Sequence, residues 1–163
     1  MMDYKLIIFD VDGTLVTPKS GATFRKTADD WQWLPGRLEK CKQLIDQKVT
    51  LALASNQGGV AYGYFHEDAI KWELLKTAGA ISPAVRYFYC FTHPTASRPE
   101  YRKDDSRRKP GPGMLIEAME HYHILPQDTL MVGDRPEDEQ AAQAAGVHFM
   151  WADKFFRESE STA

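Results

Sequence analysis

Two aspartates, Asp10 and Asp12, come directly after the apolar run Leu6-Ile7-Ile8-Phe9 and are followed by a glycine and a threonine. An apolar run of four bounded by turn residues predicts a buried strand, which places both carboxylates at its carboxyl end, where open α/β sheets bind ligands. Two carboxylates this close repel each other unless a cation lies between them, and Mg²⁺ prefers aspartate and backbone oxygens. The alternative is a simple turn at the strand end, closed by Asp12-Gly13.

Further polar clusters follow other predicted strands and one long loop. They are Ser55-Asn56-Gln57, Arg108-Lys109, and the segment from Gly133 to Asp138 that contains Asp134. We expect them to meet Asp10 at one edge of a parallel sheet. There a carboxylate can attack phosphorus, a second carboxyl can protonate the leaving oxygen, and Mg²⁺ with a lysine can neutralise the other oxygens. The combination predicts phosphoryl transfer.

Hydrophobic periodicity predicts helices that alternate with strands along the whole chain. The predicted helices cover residues 36–47, 67–77, 114–123 and 136–145, with Gly79 just past the end of the second, and further strands cover 50–54, 85–91, 129–132 and 147–151. Strands that alternate with helices form a parallel sheet with helices on both faces. The predicted fold class is therefore α/β, a Rossmann-like, doubly wound parallel sheet.

Length and composition indicate one globular domain. The chain has 163 residues, 43% hydrophobic and 26% charged, with a net charge of -3. We expect the domain over residues 1–156 and a disordered tail over 157–163. No apolar run is long enough to span a membrane and the first strand leaves no room for a signal peptide, so a cytoplasmic protein is expected. Cys41 and Cys90 are expected to be buried free thiols.

In this order, the four clusters resemble the four motifs of the haloacid dehalogenase (HAD) superfamily of phosphohydrolases, over nearly the whole chain. The motifs read Asp10-x-Asp12-Gly-Thr, Ser55-Asn56-Gln57, Arg108-Lys109-Pro-x-Pro-Gly-Met and Gly133-Asp134-x-x-x-Asp138. Together they are similar to subfamily IIIA in particular. The resemblance implies a HAD-like fold and an Mg²⁺-dependent phosphomonoesterase that works through an aspartyl-phosphate.

The resemblance also implies which residues carry the chemistry. Asp10 would be the nucleophile, Asp12 the general acid and then the general base, and Asp134 would hold Mg²⁺ together with Asp10 and the backbone carbonyl of Asp12. The group expected to bind phosphate comprises Ser55, Asn56 and Lys109, and Lys109 would also pair with the nucleophile.

Arg108 and Asp138 are expected to support this group. Asp138 would orient Lys109 or a metal-bound water, with a carboxylate placed at a helix N-terminus by the helix dipole as the alternative.

Two branches of the subfamily compete for the substrate. The segment Ser20-Gly21-Ala22-Thr23-Phe24, followed by Asp30-Trp31, resembles the phosphatase domain of polynucleotide kinase 3′-phosphatase. The segments from Asn56 to Tyr64 and from Cys90 to His93 resemble the heptose bisphosphate and histidinol phosphate phosphatases. Those enzymes often have a zinc loop that ends in Cys-x-Cys, whereas this chain has Asp105 and Arg107 there. No zinc is therefore expected.

The insertion after Asp12 is a flap of roughly twenty residues, too short for a large cap domain, because independent domains need about 50 residues. An open site would admit a polymer end, with Arg102 and Lys103 on phosphates and Trp31 on a base. The main expectation is therefore a phosphorylated substrate such as a 3′-phosphate end of nucleic acid. The alternatives are a small sugar (bis)phosphate or histidinol phosphate, with Trp31 closing the core, and a non-catalytic HAD-like binding domain.

Overall fold

The main sheet is parallel and has the predicted α/β architecture. The computed structural model describes residues 3–161. Its five-stranded sheet contains β1 (Leu6–Phe9), β4 (Thr50–Asn56), β5 (Arg86–Cys90), β6 (Thr129–Gly133) and β7 (His148–Trp151), in the order β5-β4-β1-β6-β7. A separate antiparallel pair, β2 (Val16–Thr17) and β3 (Gln32–Trp33), frames the insertion after the first strand. The polar residues that follow β4, β1 and β6 therefore share one edge.

Five helices cover the two faces of this sheet in the described residues. They are α1 (Arg37–Asp46), α2 (Glu67–Ile81), α3 (Gly113–Tyr122), α4 (Pro136–Ala145) and α5 (Ala152–Ser161). In β1, Ile7 and Phe9 pack in the core with α1, α2 and α5, while Leu6 and Ile8 pack with α3 and α4. Because both faces are covered, the central strand is apolar at every position rather than alternating.

Two local predictions differ from the structure. Helix α2 continues past Gly79 to Ile81, which is buried in the core, so the prediction that Gly79 ends the helix was wrong. Helix α5 runs through Arg157 to Ser161, inside the segment expected to be disordered, and residues 162 and 163 lie outside the described residues. The helix is anchored by Phe156, which stacks on Phe9 with ring centroids 5.9 Å apart. The domain over residues 1–156 stays a prediction.

The insertion between β2 and β3, residues 18–31, is called the flap, and Asp30 holds it together. The carboxylate of Asp30 accepts hydrogen bonds from the backbone N–H and the hydroxyl of Ser20, at 2.8 and 2.7 Å, and from the backbone N–H of Lys26 at 2.9 Å. This closes the loop on itself. The Ser20 to Asp30 spacing therefore has a structural reason, which is the internal closure of the flap.

Trp31 anchors the end of the flap to the body of the fold. Its indole N–H donates to the buried Glu73 of α2 at 2.9 Å, and its ring meets Trp33 edge to face. The structure thus favours the alternative in which Trp31 closes the core. The flap is too small to form a cap domain. Among the described residues, no helix combines the length and the apolar character that a membrane span requires.

Replacing Asp30 by asparagine should lower the melting temperature at pH 7. Hydrogen bonds from the backbone of Lys26 and the hydroxyl of Ser20 lower the pKa of Asp30 to about 2. A lowered pKa contributes stability above the unfolded-state value of about 4 that is lost as pH falls through the folded-state pKa. The difference in melting temperature between wild type and Asp30→Asn should therefore become smaller as the pH falls from about 4 to about 2. Thermal melts across this range would measure it.

Asp46→Asn is the matched control, because Asp46 is exposed at the end of α1. It should leave the melting temperature unchanged. An Asp30→Asn protein as stable as wild type at pH 7 would contradict the role given to Asp30.

Candidate active site

The polar strand ends meet around one buried ammonium group. Lys109 Nζ donates to Asp10 Oδ1 at 2.7 Å, to Asp138 Oδ1 at 2.7 Å and to the carbonyl of Ala54 at 2.9 Å. Lys109 is only 3% exposed. Its three donors bind three acceptors from β1, β4 and α4, so the lysine from the long loop fixes the relative positions of all three elements.

Burial sets the protonation behaviour of this group. Burial raises the pKa of Asp10 well above its usual value; Lys109 opposes that change, and the carboxylates of Asp138 and Asp134 add to it. Burial alone would lower the pKa of Lys109, but Asp10 and Asp138 outweigh it and the net pKa is raised. The ammonium of Lys109 is therefore charged. Asp10 has two negatively charged neighbours, Asp134 and Asp138, and one lysine cannot balance both.

Asp134 brings a further carboxylate to Asp10. Carboxylate oxygens of Asp10, Asp134 and Asp138 lie within 4.8 Å of one another. The hydroxyl of Thr14 lies between the first two, 3.2 Å from an oxygen of each. Both oxygens of Asp138 are already engaged, one by Lys109 and the other by the backbone N–H groups of Asp134 and Arg135 at 3.1 Å. Asp138 thus orients Lys109 and also binds the start of α4, which combines the two predicted arrangements.

Glycine is required at two positions for these close approaches. A Cβ at Gly13, where φ is +90°, would lie 2.1 Å from Asp134 Oδ2. A Cβ at Gly133 would lie 2.4 Å from the side chain of Asp138. The two glycines therefore let the acidic residues approach Asp10 and Lys109.

This donor set fits Mg²⁺. Asp10 and Asp134 offer carboxylate oxygens that face each other across Thr14, and the nearby ammonium already binds Asp10 and Asp138. Hard oxygen ligands with an excess of negative charge are what Mg²⁺ selects. Both oxygens of Asp138 already accept hydrogen bonds, so the carboxylates of Asp10 and Asp134 fit the ion best, and the backbone carbonyl of Asp12 stays a prediction.

Asp12 lies beside this cluster and is held from two sides. Arg25 Nε of the flap donates to Asp12 Oδ1 at 2.8 Å, and Gln57 Nε2 donates to Asp12 Oδ2 at 2.9 Å. Gln57 also donates to the hydroxyl of Ser55 at 2.7 Å. The side chain of Asp12 is thus fixed in one orientation next to Asp10.

Two of the three residues expected to bind phosphate, Ser55 and Asn56, lie at the end of β4. Asn56 Nδ2 donates to the carbonyl of Lys109 at 2.9 Å, and the N–H of Lys109 donates to Asn56 Oδ1 at 3.0 Å. Asn56 therefore positions the backbone of Lys109 and keeps one amide hydrogen for another acceptor. The hydroxyl of Ser55 accepts from Gln57 and keeps its own hydrogen.

Three other basic residues of the long loop contact residues of the loop itself. Arg102 Nε donates to the carbonyl of Ala96, and Lys103 lies 3.8 Å from Asp105. Arg108 is half-buried beside Gly58 and His93 and donates to the carbonyl of Thr92 at 3.2 Å. Burial lowers the pKa of Arg108. Arg108 thus lies close to Gly58, two residues past the end of β4, whereas Arg102 and Lys103 are exposed.

A polar network occupies the loop position where related phosphatases were expected to hold zinc. Cys90 Sγ lies 3.1 Å from the hydroxyl of Thr92, which donates to Asp105 Oδ2 at 3.1 Å, and the N–H of Arg107 donates to Asp105 Oδ1 at 2.9 Å. Cys41 and Cys90 are buried and free, as predicted. The loop is closed by these hydrogen bonds.

Comparison with known proteins shows the family of the chain. A sequence model of the family described as polynucleotide kinase 3 phosphatase matches residues 5–161. The chain belongs to this family, within the HAD superfamily of phosphatases. It is also 35% identical over 147 residues to the D-glycero-beta-D-manno-heptose-1,7-bisphosphate 7-phosphatase of Pasteurella multocida, covering 88% of this chain and 78% of that protein. The enzyme of the same name from Escherichia coli is 32% identical, covering 86% and 74%.

Solved structures of HAD phosphatases have the same fold. The D,D-heptose 1,7-bisphosphate phosphatase of B. bronchiseptica, complexed with magnesium and phosphate, has a TM-score of 0.72 and 32% identity, covering 89% of this chain and 78% of that one. A putative HAD-like phosphatase from Mesorhizobium loti has a TM-score of 0.73 and 25% identity, covering 90% and 71%. This HAD protein is therefore a phosphatase, and its cofactor is Mg²⁺.

Three residues of the site had no predicted role. Gln57 and Thr14 belong to the recognised motifs, but their bonds to Asp12, Asp10 and Asp134 depend on rotamers that the sequence does not show. Arg25 lies in the flap, where no periodicity places it. Its position could have indicated a role, because Arg25 lies in the short segment between Phe24 and Asp30, which both belong to the resemblance given above.

Replacing Gly13 by alanine should weaken Mg²⁺ binding. The added Cβ must displace the Asp134 carboxylate, and changes of this kind near a metal cost about 10- to 100-fold in affinity. Titrating activity against Mg²⁺ would measure this. Gly21→Ala is the matched control, because Gly21 also has a positive φ, +82°, but no atom within 4 Å of the added Cβ. Equal Mg²⁺ requirements in both variants would contradict the close approach of Asp134.

Replacing Lys109 by methionine should abolish activity and destabilise the fold. The change leaves Asp10 and Asp138 buried without their cation, which costs about 3–5 kcal/mol of unfolding free energy. Denaturant titration without added Mg²⁺ would measure this loss. Lys5→Met, which removes an exposed pair with Asp128 at 3.7 Å, is the control and should cost less than about 1 kcal/mol. A Lys109→Met protein with wild-type stability would show that the ammonium does not hold these carboxylates.

Zinc removal should leave activity unchanged. The loop offers Cys90 but has Asp105 and Arg107 where two thiolates would be needed, and hydrogen bonds already link these positions. A zinc-selective chelator and the Cys90→Ser variant should both leave turnover near the wild-type value. Stoichiometric zinc in the purified protein, lost together with activity in Cys90→Ser, would contradict this.

Proposed function

We propose that this phosphatase hydrolyses a small sugar phosphate, with a sugar bisphosphate as the leading candidate, through an aspartyl-phosphate on Asp10. The observation that carries the mechanism is the buried contact of Lys109 with Asp10 and Asp138, with Asp12 held beside it. It leaves one oxygen of Asp10 bonded to Lys109 and the other facing Thr14 and Asp134. The proposed nucleophile, Asp10, and the proposed proton donor, Asp12, are two residues apart at one strand end.

In the first step Asp10 attacks phosphorus and the bond from phosphorus to the ester oxygen breaks. Protonated Asp12 gives its proton to that oxygen, so the alcohol leaves neutral and Asp12 becomes a carboxylate. We expect the hydroxyl of Ser55 and the remaining amide hydrogen of Asn56 to bind oxygens of the transferred group, and the charge of the Lys109 ammonium to stabilise it beside Asp10.

In the second step water attacks phosphorus of the aspartyl-phosphate. Asp12 takes a proton from that water, phosphate leaves, and Asp10 returns to a carboxylate. One residue can serve both steps because it is a base as soon as it has acted as an acid. Mg²⁺, when bound by Asp10, Asp134 and the backbone carbonyl of Asp12, supplies neutralisation of the phosphoryl charge.

The substrate class rests on the relatives and on the state of the basic residues. The relatives named above act on a heptose bisphosphate, and the chain matches most of their length. The nucleic-acid end that the sequence favoured is not supported. Trp31 is anchored to Glu73, and Arg102 and Lys103 are bonded within the loop. A small sugar phosphate, the alternative from the sequence, therefore becomes the main proposal, and a cytoplasmic location stays a prediction.

A substrate panel tests the proposal. It should include D-glycero-β-D-manno-heptose 1,7-bisphosphate, histidinol phosphate, mononucleotides and a 3′-phosphorylated oligonucleotide. We expect the highest kcat/KM for a sugar phosphate, with no steep salt dependence and no effect of an Arg102→Ala, Lys103→Ala double variant. Asp10→Asn, which should be inactive, controls for contaminating phosphatases.

The opposite result has a distinct signature. Phosphate contacts on a single strand make affinity fall with a log-log slope of about -0.7 per contact as salt rises. An oligonucleotide turned over best, with a salt slope that the double variant flattens, would overturn the sugar phosphate proposal.

A further inference from the structure

One arginine of the flap reaches the proton-transfer residue. Arg25 Nε donates to Asp12 Oδ1 at 2.8 Å, Arg25 Nη1 donates to the carbonyl of Ala28 at 2.9 Å, and the side chain is only 5% exposed. The neighbouring Phe24 lies 5.9 Å from the guanidinium of Arg135, which directly follows Asp134. The flap therefore spans from Asp12 to the loop after β6 and borders the site on that side.

The third nitrogen of the Arg25 guanidinium, Nη2, makes no hydrogen bond to the described residues. This nitrogen is also buried. A buried charged donor without a partner is costly, and the folded protein keeps few of them without a use. In a guanidinium group Nε and Nη2 share one edge, so Nη2 faces the same side as the bond to Asp12. The free donor is therefore beside the Asp12 carboxylate.

The position of Asp12 determines which part of a substrate would lie next to Arg25 Nη2. In the proposed mechanism the transferred phosphoryl group is bound at Asp10 and Lys109, where Asp10 Oδ1 and Lys109 Nζ are 2.7 Å apart. Asp12 must reach the ester oxygen of the leaving alcohol, so a donor next to Asp12 lies against that alcohol. Gln57 occupies the other oxygen of Asp12 from the end of β4, which leaves Arg25 as the contact from the flap side.

We propose that Arg25 positions Asp12 for proton transfer and that its Nη2 binds an oxygen of the leaving alcohol close to the ester. This inference rests on the proposed function and extends it, because it selects alcohols that carry a further oxygen near the ester, as polyols and sugars do. Arg25 is a positioning residue for the proton transfer and a binding residue for the alcohol. The proton itself moves from Asp12 to the ester oxygen, and Arg25 neither gives nor takes a proton in this step.

The competing explanation is structural, since Arg25 could only tie the flap to the body of the fold. Arg37 offers a matched control for this. It is a second arginine with a buried, unpartnered nitrogen, Nε, and its other nitrogens bind the carbonyl of Thr14 and the carboxylate of Asp153. Losing a merely structural arginine should lower activity on every substrate by the same factor.

The test compares kcat/KM for three substrates in the full chain with Mg²⁺. 4-Nitrophenyl phosphate has a leaving group that departs without a proton, phenyl phosphate needs the proton, and a sugar phosphate needs the proton and offers further oxygens. Because kcat/KM reports the first irreversible step, it isolates departure of the alcohol from hydrolysis of the aspartyl-phosphate. The variants are Arg25→Met, Arg25→Lys and Arg37→Met.

Arg25→Met should lower kcat/KM less than about threefold for 4-nitrophenyl phosphate and about 100-fold for phenyl phosphate, the usual worth of a positioned acid. The sugar phosphate should lose about a further tenfold, as expected for one hydrogen bond from a charged donor. Arg25→Lys keeps a cation near Asp12 and should recover part of the loss on phenyl phosphate, and it serves as the working variant if Arg25→Met does not fold. Arg37→Met should affect all three substrates equally.

An equal loss on all three substrates in the Arg25 variants would overturn the proposal. A loss on phenyl phosphate with no further loss on the sugar phosphate would overturn the part about the alcohol oxygen and support the positioning of Asp12. If the wild type hydrolyses the aryl phosphates but no sugar phosphate, the proposed substrate class fails, while the two aryl phosphates still decide the role of Arg25.

Discussion

The buried ammonium of Lys109 is the charge around which the site is built. A cation with almost no access to water is stabilised when nearby acceptors satisfy its donors. Here those acceptors are Asp10, Asp138 and the carbonyl of Ala54, which belong to separate elements. Asn56 fixes the backbone of the same lysine through two hydrogen bonds. The arrangement of the strands in the sheet therefore also brings Asp10 into contact with Lys109.

The same charge balance explains the metal. Lys109 neutralises only part of the negative charge that Asp10, Asp134 and Asp138 bring within 4.8 Å of one another. The remaining excess, on hard oxygen donors, is what makes the site select a small divalent cation. Gly13 and Gly133 are the backbone positions that permit this crowding, because a side chain at either would meet an aspartate. These two glycines therefore allow the negatively charged side chains to lie close together.

Sequence could predict the parts of the site that short segments encode. The strand ends at Asp10, Ser55 and Asp134 follow from apolar runs that stop at polar residues, and the sheet places them together. Contacts made by loops could not be predicted in this way. Arg25 reaches Asp12 through a flap without periodicity, and the closure of that flap by Ser20 and Asp30 was visible only as a resemblance. Helix α2 passes Gly79 because burial of Ile81 outweighs the local preference of glycine.

Trapping the covalent intermediate shows directly whether Asp10 carries the phosphoryl group during turnover. Protein quenched in acid during turnover and reduced with borohydride should yield homoserine in place of Asp10, because an acyl phosphate is reduced to the alcohol while a free carboxylate is not. Peptide mass spectrometry should find this change at position 10 only with substrate and Mg²⁺ present, and not in Asp10→Asn. Turnover by the wild type with no reduced Asp10, or with the change at Asp12 instead, would rule out an aspartyl-phosphate on Asp10.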